Sequence, residues 1–246
     1  MTPLLPASIA ALLAALPLAA QEAPADPAPA AADEAVAEMA PALDEAPAET
    51  TEGTGTEVAA DEPQEVAPGI FEMTLGNPEA PVRMIEYGSL TCPHCAAWHA
   101  NGYPQLKEQF IDTGKVHYTF REVYFDRYGL WASMVARCAG PMRFFPVLDQ
   151  LFAQQRQWVG DGSPAAIADN LRRIGLASGL TAEALDACLS DAEKAEALVA
   201  WWQGNAEADG INSTPTFIIN GERHSNMGWE AMRQLLDAEY VAAAAE

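Results

Sequence analysis

Cys92-Pro93-His94-Cys95 constrains this chain more than any other feature, because it sits where a β-type segment gives way to a helical one. Val82–Tyr87 (VRMIEY) lies between Pro81 and Gly88, the punctuation of a short strand. From Pro93 to about Phe110 the sequence reads as a helix, with proline at the first position, where a missing N–H costs nothing. Two cysteines at this spacing can bind zinc with a second pair, carry haem when His follows directly, or cycle between dithiol and disulfide. Ala96 follows Cys95, which excludes haem attachment. Zinc needs four ligands. His94 and His99 are close in sequence, but Cys138 and Cys188 are far apart and form no second ligand knuckle. The redox reading has the context it needs. A cysteine at a helix N-terminus meets unpaired backbone N–H groups and the positive end of the helix dipole, and both favour thiolate over thiol. His94 adds an N–H donor or a positive charge. Cys92, the exposed first residue, is then the nucleophile, and Cys95, one turn inside, the resolving thiol. Such chemistry requires neither metal nor organic cofactor.

The rest of the folded part orders itself around this motif. Lys115–Phe125 (KVHYTFREVYF) alternates as a strand, and Tyr128 to about Asp209 reads as helix nearly throughout. Ser163-Pro164 is expected to cap one helix, Gly175 to end it, and Asp191 to cap the segment bearing Leu198, Trp201 and Trp202. Thr216–Asn220 is a strand, Asn220-Gly221 a hairpin turn into Glu222–Ser225, and Trp229–Tyr240 a closing amphipathic helix. The order β–α–β, helical block, β–β–α implies an α/β fold. Its mixed central sheet is flanked by helices and interrupted by a helical insertion over about 128–209. The crossover makes the first two strands parallel.

The charge of −22 is unevenly spread over the 246 residues: residues 21–68 hold 13 acidic groups and no Lys or Arg. The remainder carries 22 acids against 13 bases, which lacks the basic footprint of a nucleic-acid binder. Residues 21–68 are mostly Ala, Pro, Glu, Asp, Thr and Gly, with scattered aliphatic residues and no aromatic one, a composition that cannot offset its own ordering entropy. An acidic, disordered, self-repelling linker is expected there. Residues 4–20 (LLPASIAALLAALPLAA) read as the apolar region of a secretory signal, cleaved after Ala20 or retained as a membrane tether. No later run is apolar enough to span a bilayer. One domain then covers 69–246.

The runs IEYGSLTCPHC (85–95) and NSTPTFIING (212–221) resemble the DsbA family of thioredoxin-fold disulfide oxidoreductases, in the form of its alpha-proteobacterial branch. The likeness extends through KEQFIDTGKVHYTFREVYFD (107–126), ARCAG (136–140) and LFAQQRQW (151–158), so that it covers 70–240. The resemblance implies a thioredoxin fold with a helical insertion. It makes Pro215 a cis-proline that faces the cysteine pair and offers backbone hydrogen bonds to a bound peptide, and Thr214 the residue that touches and tunes the pair. It makes Glu86 a buried acid near the second cysteine, able to take the proton of Cys95 as it attacks. It further implies an exported, periplasmic enzyme that oxidises unfolded or reduced proteins and is reoxidised by a quinone-linked membrane protein of the DsbB kind.

Four cysteines allow three pairings, and a local 92–95 pair leaves Cys138 with Cys188 as a structural bridge. His117 and His224 read as structural or surface residues, His99 as surface, and the tryptophans, Trp98 among them, mainly as core. Two other functions fit the same motif. A reductase or isomerase shares the fold, although an isomerase of the DsbC kind needs a dimerisation domain. Residues 21–68 have no composition to supply one, so a monomer is expected. The other is a non-catalytic peptide-binding or assembly module that keeps Cys92–Cys95 as a staple.

Overall fold

The computed structural model describes residues 63–243 and Ala245. The expected signal or tether at 4–20 and all but the last residues of the expected linker lie outside them. Ordered chain begins before Gly69: β1 (Glu65–Ala67) pairs antiparallel with β2 (Ile70–Phe71), and Gly69, at φ 72°, turns between them. The boundary at 68 therefore moves toward the N-terminus. The reason is local, since Ile70 is fully buried and the Gly69 N–H donates to Glu65 Oε1 at 2.7 Å.

The main sheet has five strands in the order β3 (Met73–Leu75), β5 (Val116–Glu122), β4 (Val82–Gly88), β6 (Thr216–Ile219) and β7 (Glu222–Ser225). β4 and β5 run parallel, in register from Val82↔Val116 to Gly88↔Glu122, and the other neighbours are antiparallel. Central β4 carries Val82, Met84 and Glu86 on one face, all buried. Tyr87 points the other way, and its hydroxyl donates to Asp209, while Arg121 bridges it to Glu72. Asn220 (φ 46°) and Gly221 (φ 85°) both take left-handed backbone in the tight β6–β7 turn, as an Asn-Gly hairpin requires.

The crossover from β4 to β5 is α1 (Pro93–Asn101), α2 (Tyr103–Leu106) and a π-helical turn, Lys107–Ile111. The single helix expected over 93–110 is thus interrupted at Gly102, where the Trp98 ring lies 2.1 Å from where a Cβ would stand. The insertion comprises α3 (Arg127–Cys138), α4 (Pro141–Ala153), α5 (Gln155–Val159), α6 (Pro164–Ala177), α7 (Ala182–Leu189) and α8 (Ala192–Ala208), and α9 (Trp229–Ala243) closes the fold. Asp126, Thr181 and Asp191 cap α3, α7 and α8 with side-chain oxygens, whereas Ser163 stands at the α6 N-cap without a side-chain bond. Gly175 does not end α6. It is helical and lies against Leu185 of α7, and the helix closes instead on Gly179 (φ 83°), with Leu180 N–H bonded to Gly175 O.

One large core joins the β4/β5 face to α1, α3, α4 and α6 through Met84, Tyr118, Trp98, Val135, Leu148 and Leu171. The insertion is further tied to the sheet by a buried ion pair. Arg137 of α3 donates from Nε and Nη2 to the two oxygens of Glu122 on β5, each at 2.6 Å, and from Nη1 to Phe71 O at 3.0 Å. Ser133 also donates to Glu122, so the carboxylate is satisfied. Cys138 and Cys188 are disulfide-bonded, linking α3 to α7 across a Cα separation of 6.0 Å.

Candidate active site

The end of β4 delivers the chain into Ser89–Thr91, and Cys92 takes the N-cap position of α1 with extended backbone (φ −80°, ψ 120°). Pro93 is the first helical residue. Cys92 N–H bonds back to Ser89 O at 3.0 Å, and Cys92 O accepts from Ala96 N–H at 3.2 Å. A residue from the insertion secures the turn: Gln155 of α5, buried, donates from Nε2 to Leu90 O at 2.8 Å and to Cys92 O at 2.9 Å. Thr91 Oγ1 donates to Asp126, the cap of α3, at 2.7 Å. The motif is therefore held from three directions before its chemistry begins.

Both cysteines are free thiols, and their surroundings differ sharply. Cys92 is partly exposed, with Sγ 3.5 Å from Thr214 O. Thr214–Pro215 is a cis peptide, and Pro215 is buried just before β6. The Cys92 thiol is lowered to about 5, first by the hydrogen bond from the Cys95 thiol and then by the backbone N–H groups of Cys95 and His94, against a smaller cost of burial. Cys95 is fully buried and is pushed far up by that burial, by its bond to Cys92 and by the charge of Glu86. Ser89 N–H, at 3.5 Å from Cys95 Sγ, opposes this weakly. One sulfur is thus a ready anion near neutral pH, while the other holds its proton. His94 is exposed, and it lowers the Cys92 thiol through its backbone N–H.

Glu86 is fully buried beneath α1. It accepts from Trp98 Nε1 at 2.9 Å and Tyr118 OH at 2.8 Å, both on Oε2, and its Oε1 lies 3.1 Å from His99 Nε2. Two residues of the site, His99 and Gln155, escape a reading of the sequence alone. His99, expected at the surface, is buried between Phe152 and Tyr103, ring centroids 4.1 and 4.6 Å away. Its position four residues after Cys95 places it one turn further along α1, and only the docking of α1 on β4 shows that this face looks inward. Trp98 packs in the core, and its indole N–H donates to Glu86. Gln155 has no local signal, because the turn it secures lies more than sixty residues away. His117, in β5, is buried with Nδ1 3.1 Å from Arg83 Nη1, while His224 lies in β7 away from the motif.

Residues 70–238, which contain all of these groups, match the family model described as Thioredoxin. A crystal structure of Wolbachia pipientis alpha-DsbA1 is 30% identical, with a TM-score of 0.65 over 71% of this chain and 93% of that one. The chain belongs to the thioredoxin family, on its DsbA-like branch. A Rickettsia bellii protein that bears the name protein-disulfide oxidoreductase is 33% identical over 167 residues, 68% of this chain and 63% of its own length. The chain thus spans somewhat under two thirds of the curated relatives it matches. A structure described as a protein-disulfide isomerase from Novosphingobium aromaticivorans is 27% identical, with a TM-score of 0.63 over 69% of this chain and 97% of that one. Within this DsbA-like fold the bond before Pro215 is cis, Cys92 is the N-cap residue of α1 and Glu86 is fully buried.

Proposed function

We propose that this protein is a thiol:disulfide oxidoreductase that transfers its Cys92–Cys95 disulfide to reduced protein chains. The observation that carries the reading is the asymmetry of the pair: a Cys92 thiol lowered to about 5 beside a Cys95 thiol raised by burial. A substrate thiolate attacks Cys92 Sγ, the Sγ–Sγ bond breaks, and Cys95 leaves with the electron pair and is protonated. A second substrate thiolate then attacks the substrate sulfur of the mixed disulfide, forming the substrate disulfide and expelling Cys92 as thiolate. The second step is favoured because a low-pKa thiol is the better leaving group, and because stabilising the thiolate stabilises the reduced enzyme. Thr214 O and the backbone beside Pro215 border Cys92, where an extended peptide would lie. The Cys138–Cys188 bridge is structural in this reading.

Repeated turnover requires an oxidant for the reduced pair, and a quinone-linked membrane protein of the DsbB kind is the partner the family resemblance implies. The apolar stretch 4–20 and the redox chemistry both suit export to the periplasm. No helix among the described residues is long and apolar enough to cross a membrane. The isomerase name of the Novosphingobium structure makes net isomerisation or reduction the second reading, on the same residues. The oxidised protein, mixed in equal amount with a peptide bearing two thiols, is expected to yield the peptide disulfide. Reduced Cys95→Ser, mixed with oxidised glutathione, should stop at the Cys92–glutathione mixed disulfide with release of one glutathione thiolate, and Cys92→Ser should form none. Peptide binding without covalent exchange would support an assembly module instead.

A further inference from the structure

Glu86 is fully buried, so a proton that it exchanges with Cys95 has to be replaced through the protein interior. Its three hydrogen-bonding partners differ in what lies behind them. The Trp98 indole has a single N–H and no acceptor, so it cannot pass a proton on. Tyr118 is itself fully buried and is not among the residues that line the pocket beside His99. His99 has a second ring nitrogen. With Nε2 against Glu86, Nδ1 has no hydrogen-bond partner in the protein, although the side chain is only 3% exposed. The ring lines a pocket of about 320 Å³ with Tyr103, Lys107, Asp149 and Phe152. The Tyr103 hydroxyl is a second buried polar atom without a protein partner there, while Asp149 of α4 is open to solvent. The pocket far exceeds the ~15 Å³ that one water needs; most of its lining is apolar, and Tyr103, Lys107 and Asp149 supply the polar partners such water requires.

We infer that His99 is the proton relay between Glu86 and solvent, working through this pocket. The inference rests on the oxidoreductase reading and deepens it. When the Cys92–Cys95 disulfide opens, Cys95 Sγ takes its proton from the Glu86 carboxyl. His99 passes its Nε2 proton to the resulting carboxylate as Nδ1 takes one from pocket water. On reoxidation Cys95 attacks the mixed disulfide, and its proton leaves by the same atoms in reverse. Each cycle moves one proton in each direction and no electron through the ring. The groups that face His99 are Glu86 from β4, Phe120 from β5, Tyr103 from α2, Lys107 from the π-helical turn, and Asp149 and Phe152 from α4. The aromatic faces fix the ring in the plane that the relay needs.

The test separates the two sulfurs. The reduced full-length protein is mixed with oxidised glutathione, and acid-quenched samples are weighed by mass spectrometry. This follows loading of Cys92 and then resolution by Cys95. His99→Gln keeps a donor toward Glu86 but cannot relay. It should load at the wild-type rate, leave the Cys92 thiolate titration unchanged and resolve about 100-fold more slowly, the lower end of general acid–base contributions. His99→Ala should show the same defect and recover with added imidazole, but not with pyrazole, which has the same shape yet is not protonated near neutral pH. Wild-type resolution in His99→Gln, or equal rescue by pyrazole, would overturn the relay. His99→Gln decides alone if the alanine variant does not fold. A wild-type protein that neither loads nor resolves would overturn the oxidoreductase reading instead.

Discussion

Replacing both Cys138 and Cys188 by alanine removes a cross-link between residues 50 apart in sequence. Opening a loop of that size releases conformational entropy in the unfolded chain, worth about 4 kcal/mol at room temperature in the chain-entropy account. Little in the native state should offset this. Cys138 ends α3, whose preceding residue, Arg137, remains clamped on Glu122, and Leu185 keeps α7 packed against Gly175 of α6. The expected result is a loss of about 4 kcal/mol in urea-induced unfolding, or roughly 8–16 °C in thermal midpoint for a domain of this size. Peptide oxidation at a temperature where the variant stays folded should match the wild type, because neither sulfur touches Cys92, Cys95 or Glu86. A loss below about 1 kcal/mol would refute the entropic argument. A drop in turnover by folded protein would place the bridge in the electron path.

Other outcomes follow from the site. The thiolate absorbance of reduced protein should titrate with a midpoint near 5, and a midpoint near the ordinary cysteine value of about 8.5 would remove the basis for Cys92 as leaving group. Because the folded value lies below the unfolded one, the stabilisation of reduced over oxidised protein is full above about 8.5 and fades as pH falls toward 5. Denaturant unfolding of the two forms at several pH values reads that gap directly. Gln155→Leu strips the donor from Leu90 O and Cys92 O, and should cost about 1–3 kcal/mol of unfolding free energy and raise the thiolate midpoint. Gly102→Ala drives a methyl into the Trp98 ring, and should cost about 1–3 kcal/mol while weakening the indole bond to Glu86. An unchanged unfolding midpoint in either variant contradicts the corresponding contact.

Much of this was legible because the motif is local. Strand, Cys92 at the helix start and Pro93 behind it are consecutive in sequence, and the Asn220-Gly221 turn announces its hairpin through two residues that tolerate positive φ. The strand Met73–Leu75 was missed because three residues carry too little periodicity, and it is strand only through pairing with Phe120–Tyr118 of β5. Gly175 was misread as a helix end because glycine signals both a stop and a close approach, and here Leu185 of α7 requires the second. Glu86 was legible only through family likeness. Its network with Trp98, His99 and Tyr118 depends on how α1 settles on the sheet, a long-range event with no signature in residue spacing. The same holds for Gln155, which reaches the motif from the far side of the insertion.

The central claim is that this pair donates its disulfide, and the reduction potential of the Cys92–Cys95 couple tests it most directly. Equilibrated against glutathione buffers at pH 7 and read by the mass of alkylated protein, the couple should be more oxidising than about −200 mV, since a stabilised thiolate favours the reduced form. A potential near about −270 mV, in the thioredoxin range, would make the protein a reductase and contradict the account.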